Sequence, residues 1–263
     1  MGRIHDLDLP RDQAGAHGDA LTDPVKSFDR VADEYERTRP DYPAALLDLV
    51  PLGAEGAVLD LGAGTGKLTR VLARRYRDVT AVEPLANMRA ILERVVPGVT
   101  ALAGSAERIP LDDGSVDGVF AAQAFHWFDK PIALPEIARV LRPGGVFVIV
   151  WNDGDDDLPD PRPAELMREV RLLHDAAVHR WENEPRWEDL LRDSGFFRDV
   201  HDRSFVTHDH VLDRAGILDN LRSTSWIASR DDREEVVDRL GALLPEATYA
   251  IPNRAHALWA RKG

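Results

Sequence analysis

The segment Val58-Leu59-Asp60-Leu61-Gly62-Ala63-Gly64-Thr65-Gly66 constrains the fold of this chain more than any other. A run of branched apolar residues that breaks into closely spaced glycines reads as a buried parallel strand turning sharply into a helix. Glycine is needed there because the backbone approaches a ligand where any Cβ would clash. A second apolar run, Val79 to Val82, ends at Glu83. An acidic side chain about 20 residues beyond such a loop, at the tip of the next strand, is placed to accept hydrogen bonds from both hydroxyls of a ribose. The pattern therefore implies a ligand that carries an adenosine.

Spacing separates three nucleotide readings. A phosphate-binding P-loop needs four residues between its glycines and then Gly-Lys-Ser/Thr, whereas here three residues separate Gly62 from Gly66 and Leu68 follows Lys67. That reading fails on both counts. A dinucleotide fold wants a third glycine where Lys67 stands, so that the helix packs close to its strand and aims its first amides at a pyrophosphate. Lys67 weakens this second reading. The third is the pattern from Asp60 to Gly66 followed by Glu83-Pro84, which resembles the class I S-adenosylmethionine-dependent methyltransferases.

More of the chain carries the resemblance. Gly104 to Leu111, then Asp117-Gly118-Val119-Phe120 and Arg142-Pro143-Gly144-Gly145, are similar to the third, fourth and fifth strand edges of that family in order and spacing. Phe28-Asp29 through Tyr35, with Arg39-Pro40 and Tyr42-Pro43, resembles the lid before the fold in small-molecule members. Gln123-Ala124-Phe125-His126-Trp127-Phe128 resembles the segment after strand four in a type 11-like subgroup that includes the trans-aconitate methyltransferase-like enzymes. The match spans roughly residues 25 to 151 and holds only in outline beyond.

The resemblance implies S-adenosyl-L-methionine as cofactor, S-adenosyl-L-homocysteine as product and a small-molecule methyl acceptor. It sets the backbone of Gly62, Ala63, Gly64 and Gly66 near the methionine part, Asp60 near its ammonium, and Glu83 with Pro84 at the ribose. Ser105 holds a position where many relatives carry Asp for the adenine amino group; Ala106 contacts the ring through its amide and Glu107 is the nearby acid. Gln123 and Phe125 join the cofactor side, and Tyr35 and Arg39 close over the cofactor carboxylate, where arginine makes a charge-assisted pair. His126 is the candidate general base, since imidazole titrates near neutrality; a histidine satisfied by backbone is the other reading. Trp127, Phe128 and Trp226 are expected as pocket wall or core.

Alternating strands and helices with short connections imply a doubly wound, Rossmann-like, mostly parallel sheet. Strands are expected at 57–61, 79–82, 99–103, 117–121 and 146–151. Two late strands, 200–207 and 256–260, form in the family an antiparallel hairpin that completes seven. Helices are expected over 24–36, after the glycine loop (Leu68, Val71, Leu72, Tyr76), over Met88 to Val95, through Ile137, Val140 and Leu141, and over 162–181 and 185–194, the last ending at Gly195 as a left-handed cap. Pro135, lacking an amide donor, is expected near the start of its helix. Gly144 and Gly145 are expected to supply positive φ. Residues 208–245 read as a helical insertion over the crevice that shapes the acceptor pocket. Residues 1–23 read as a mobile tail, and 24–263 as one methyltransferase domain with a lid (24–50), a cofactor-binding core (51–151) and an acceptor side (152–263).

Composition narrows the partners. With 33 basic against 46 acidic residues the net charge is −13, which disfavours nucleic acid or an anionic membrane. Zero cysteines exclude disulfides and thiolate chemistry. No stretch has the length of a signal-peptide apolar region or a membrane span, so a soluble cytoplasmic protein is expected. The aspartates of 153–157 lack the alternating spacing of a calcium loop, and no metal is expected. Three other activities stay open: a cofactor-binding protein of this fold that catalyses a cyclisation or rearrangement without methylating, a nicotinamide-dependent oxidoreductase, and a noncatalytic binding module.

Overall fold

The computed structural model describes residues 24–154, 158–177 and 185–263. The expected tail, the end of the acidic loop and the last turn of the helix expected to reach residue 181 lie outside the described residues. The strands are β1 (Ala57–Leu61), β2 (Asp78–Val82), β3 (Thr100–Leu102), β4 (Val116–Ala122), β5 (Leu141–Gly154), β6 (Phe197–Val206), β7 (His210–Asp213), β8 (Thr248–Ile251) and β9 (Asn253–Lys262). The helices are α1 (Pro24–Arg30), α2 (Ala32–Thr38), α3 (Thr69–Arg75), α4 (Ala86–Val95), α5 (Lys130–Val140), α6 (Ala164–Ala177), α7 (Trp187–Asp193), α8 (Arg214–Arg222), α9 (Ser225–Ala228) and α10 (Arg233–Ala242).

Seven strands form one sheet in the order β3-β2-β1-β4-β5-β9-β6. β1 to β5 pair in parallel, and β9 runs antiparallel between β5 and β6. Crossovers from β1 to β3 go one way and from β3 to β4 the other, so the winding reverses between β1 and β4. Ligands of such sheets sit beyond the strand carboxyl ends at that reversal.

The alternation of side chains along each strand sorts the core into two layers. Leu59, Leu61, Val119, Phe147 and Ile149 pack on the face covered by α5 and α7. Val58, Phe120, Val146 and Val148 pack on the other with Leu68, Val71, Leu72 and Tyr76 of the α3 region. Phe120, Phe125 and Phe147 are fully buried; each large apolar side chain contributes about 1.5–3 kcal/mol on leaving water. A third cluster joins Ile217, Leu221, Ile227, Val237 and Leu240 of the late insertion to Leu166 of α6 and Tyr249 of β8.

Several expectations are corrected. The N-terminal helix is two helices broken at Val31, which is buried. The break lets α1 pack on α4 and α9 while α2 packs on α8. Pro135 lies inside α5, which begins at Lys130. Pro131 and Pro135 are both exposed, so the carbonyl that loses its amide partner faces water rather than core. Leu141 opens β5 in extended conformation rather than ending α5. Gly144 has φ of 74° but Gly145 does not share it; Gly145 is needed instead because a Cβ there would lie 3.0 Å from the Arg142 and Asp117 carbonyl oxygens. The insertion is helical as expected but also carries the antiparallel pair β7–β8. Gly195 closes α7 with φ of 75°. No helix among the described residues is long and apolar enough to cross a membrane.

Candidate active site

The glycine loop leaves β1 and is stitched to the end of β2, where the Val82 carbonyl accepts from the Gly62 and Ala63 amides at 2.9 and 3.1 Å. Gly62, Gly64 and Gly66 have φ of 69°, 56° and 89°, the left-handed region that other residues adopt at a cost. Their surroundings differ. A Cβ on Gly62 would lie 2.8 Å from the Ala124 Cβ, and one on Gly66 3.0 Å from Leu92, whereas one on Gly64 meets no protein atom within 4 Å. Gly62 and Gly66 therefore permit packing, and Gly64 keeps a space open.

Glu83, 5% exposed, faces that space. Its Oε2 accepts from the Gly64 amide and its Oε1 from the Leu85 amide, each at 2.8 Å. Burial pushes its carboxyl up, and the Leu85 and Gly64 amides with the Arg89 guanidinium pull it back. Asp60 is fully buried on the α3 side of β1, where its Oδ2 accepts from the Thr69 hydroxyl at 2.6 Å while its Oδ1 has no partner among the described residues. Burial raises it to about 7 against the opposing Thr69 bond. Two acids thus underlie the loop, both raised by burial, and a cationic group beside them would favour their charged forms.

These elements border a cavity of about 320 Å³, within the range of small-molecule sites. The glycine loop, Glu83 and Pro84 form one side, and Ser105, Ala106 and Glu107 another. Tyr35 and Gln123 reach it from the lid and from the end of β4. Gln123 has φ of 51°, a strained conformation, held by its amide on the Val150 carbonyl at 2.8 Å and its Nε2 on the Asn152 carbonyl at 2.7 Å. Glu107 lines the cavity while its Oε1 accepts from the Asp129 amide at 2.9 Å.

Four cofactor-side candidates do not line this cavity. Asp60 lies beneath the loop, Gly66 is packed under α4, and Phe125 is core, edge-on to Phe128, Phe147 and Trp187. Arg39 lines a second cavity of about 370 Å³, where its Nε and Nη2 donate to the hydroxyl and carbonyl of Ser223 at 3.0 and 3.2 Å. His126 also lines the second cavity; burial and the neighbouring Lys130 lower it to about 4. The two cavities meet at Phe28, Tyr35, Tyr42, Lys67, Gln123 and Trp127, and Trp226 lines the second but not the first.

The cavity fits a sulfonium nucleoside: an open, left-handed glycine turn, a buried acid bonded to that turn, and acidic surroundings for positive charge. Comparison with known proteins agrees. The methyltransferase-domain family matches residues 59–149. An uncharacterized methyltransferase of Mycobacterium tuberculosis is 52% identical over 204 residues, spanning 74% of this chain and 84% of that protein. The chain belongs to the class I S-adenosylmethionine-dependent methyltransferases. An uncharacterized methyltransferase-like protein of Schizosaccharomyces pombe is 41% identical over 140 residues, 51% of this methyltransferase and 55% of that protein. In fold, the methyltransferase resembles a SAM-dependent methyltransferase of Thermotoga maritima with a TM-score of 0.53 at 21% identity, covering 92% of this chain and 100% of that one.

Sequence reasoning missed several wall residues of the methyltransferase. Met88 lines the first cavity from α4, where helical spacing marked it as core. Arg162, His174, His210 and Asn152 line the second cavity from separate elements, with no shared motif to expose them. Lys67, which served only to disfavour a dinucleotide, lines both cavities. No group of three or more side chains among the described residues is arranged to hold a metal ion.

Proposed function

We propose that this methyltransferase transfers the methyl group of S-adenosyl-L-methionine, bound in the first cavity, to an oxygen of a small acidic acceptor, a carboxylate above all, bound in the second. The observation that carries this is the charge of the second cavity. Among the described residues of its wall, in a chain of net charge −13, Arg39 and Arg162, with Lys67 at the boundary of the first cavity, stand against the one carboxylate of Asp153, and Arg162 is itself paired with Asp160. His126, His174 and His210 add hydrogen-bonding imidazoles.

The bound cofactor supplies an electrophilic methyl on a sulfonium: its C–S bond breaks as the C–O bond forms, the bonding pair stays on sulfur, and the positive and negative charges cancel. A carboxylate acceptor has no proton to lose. This agrees with His126, which is neutral at pH 7 and, lowered to about 4, is a weak base. The work of the chain is then placement. Glu83 and the Gly64 amide fix the nucleoside, Gln123 marks the junction of the cavities, and Phe28, Tyr35 and Trp127, joined edge-to-face at 5.9 and 5.8 Å, exclude water there. Holding donor and acceptor in line lowers such barriers by roughly 7–11 kcal/mol.

The reading extends to one methyltransferase domain over residues 24–263, acting in the cytoplasm without nucleic acid. It is tested by incubating the protein with S-adenosyl-L-methionine and panels of small carboxylic acids, phenols and amines, following release of S-adenosyl-L-homocysteine and product mass. Methyl esters of acids are expected. Turnover confined to amines contradicts the acceptor assignment, and product formation with unchanged cofactor contradicts transfer itself.

A further inference from the structure

Lys67 is buried to 7% exposure immediately after the glycine turn, at the boundary of the two cavities. Among the described residues its Nζ makes one hydrogen bond, to Asp41 Oδ1 at 3.4 Å, and lies 3.9 Å from Glu36 Oε2. Arg70 competes for the same two carboxylates, bonding Glu36 and lying 3.5 Å from Asp41. The lysine is therefore held loosely, with donors to spare, and burial lowers it from its ordinary value against the pull of Glu36 and Asp41. Among the described residues that line the first cavity it is the one cation; Glu83 and Glu107 are the acids.

S-adenosylmethionine needs such a cation. On the reading that puts the ribose at Glu83 and the adenine beside Ser105 to Glu107, the amino-acid end would run along the glycine turn toward the junction of the cavities, where Lys67 stands. Arg39, the lid cation, faces the other cavity and is bonded to Ser223. We propose that Lys67 is the positioning residue that receives the methionine carboxylate of the cofactor, setting the sulfonium's reach toward the acceptor cavity. This rests on the assignment of the first cavity to S-adenosylmethionine. A lysine suits the task as a compact point charge on a long stem, and burial limits the screening of the pair by water.

Titration calorimetry of the whole protein with S-adenosylhomocysteine, its carboxamide and 5′-methylthioadenosine tests this. Lys67→Met is expected to weaken S-adenosylhomocysteine about ten- to hundred-fold, as for a lost charged hydrogen bond, while 5′-methylthioadenosine, which lacks the amino-acid end, changes by less than about three-fold. Lys67→Arg should restore most of the loss. The wild type should prefer the acid over its carboxamide, a comparison that stands even where Lys67→Met does not fold. Equal wild-type affinity for acid and carboxamide overturns the proposal, as does a parallel loss for 5′-methylthioadenosine, which marks Lys67 as a latch to Glu36 and Asp41 alone. Failure of all three ligands on the wild type sinks the cavity assignment itself, and this one with it.

Discussion

The Gly64 amide donates to Oε2 of Glu83 over 2.8 Å, joining two residues 19 positions apart at the carboxyl ends of neighbouring strands. The bond ties the glycine of the turn whose Cβ position is open to the acid that faces the same space. Loop shape and the proposed ribose contact therefore share one carboxylate.

Replacing Glu83 by Gln tests that dependence. Glutamine keeps one oxygen, so one of the Gly64 and Leu85 amides loses its acceptor and the charge is lost. Affinity for S-adenosylhomocysteine should fall by about 1–3 kcal/mol, read by calorimetry. Wild-type affinity in this variant would place the ribose elsewhere.

Gly62 and Gly64 should respond differently to alanine. Gly62→Ala drives a Cβ to 2.8 Å from Ala124 and should lower the thermal midpoint through packing strain. Gly64→Ala meets no protein atom and should cost only the left-handed backbone, about 1–2 kcal/mol, yet impair binding more than Gly62→Ala does per degree of midpoint lost. Equal ratios of binding loss to midpoint loss would contradict the open turn.

His126 carries a pH prediction. Its folded value, about 4, lies below the ordinary 6.5, so the unfolded chain binds the proton first as pH falls. Stability from this group is complete above 6.5 and is lost as pH drops through about 4. Proton NMR of the imidazole should show a midpoint near 4, and His126→Ala should flatten the fall in stability over that window. A midpoint near 6.5 would restore His126 as an ordinary base.

Arg139 should matter at a distance. Its guanidinium donates to the carbonyls of Ile109 and Leu111 at 3.0 and 2.8 Å and pairs with Asp113 and Glu136, while Glu136 accepts from the Ile109 amide. The segment so clamped follows Ser105, Ala106 and Glu107. Arg139→Gln should lower the thermal midpoint by about 2–4 °C for each kcal/mol lost and weaken S-adenosylhomocysteine through the adenine side. An unchanged affinity would show that Ser105 to Glu107 hold their places without the clamp.

Much of this was legible in the sequence because single features enforce it. β1 spans residues 57–61 as read, since its apolar run stops at glycines that must take positive φ. Glu83 was legible because only the end of a buried strand brings an acid to that place. Pro135 misled because a helix tolerates proline on a face where water reaches the freed carbonyl. Arg39 carried no mark that its guanidinium meets Ser223, 184 residues away. The second cavity draws residues from the end of β5, from α6, from β7 and from the α8–α9 region, a convergence of tertiary structure with no local period or motif.

Binding of S-adenosylhomocysteine to the purified wild-type protein, followed by titration calorimetry, tests the central claim most directly. The structure predicts saturable binding of one ligand per chain, weakened in Glu83→Gln. Absence of any binding heat across temperatures, with the protein folded, would contradict it.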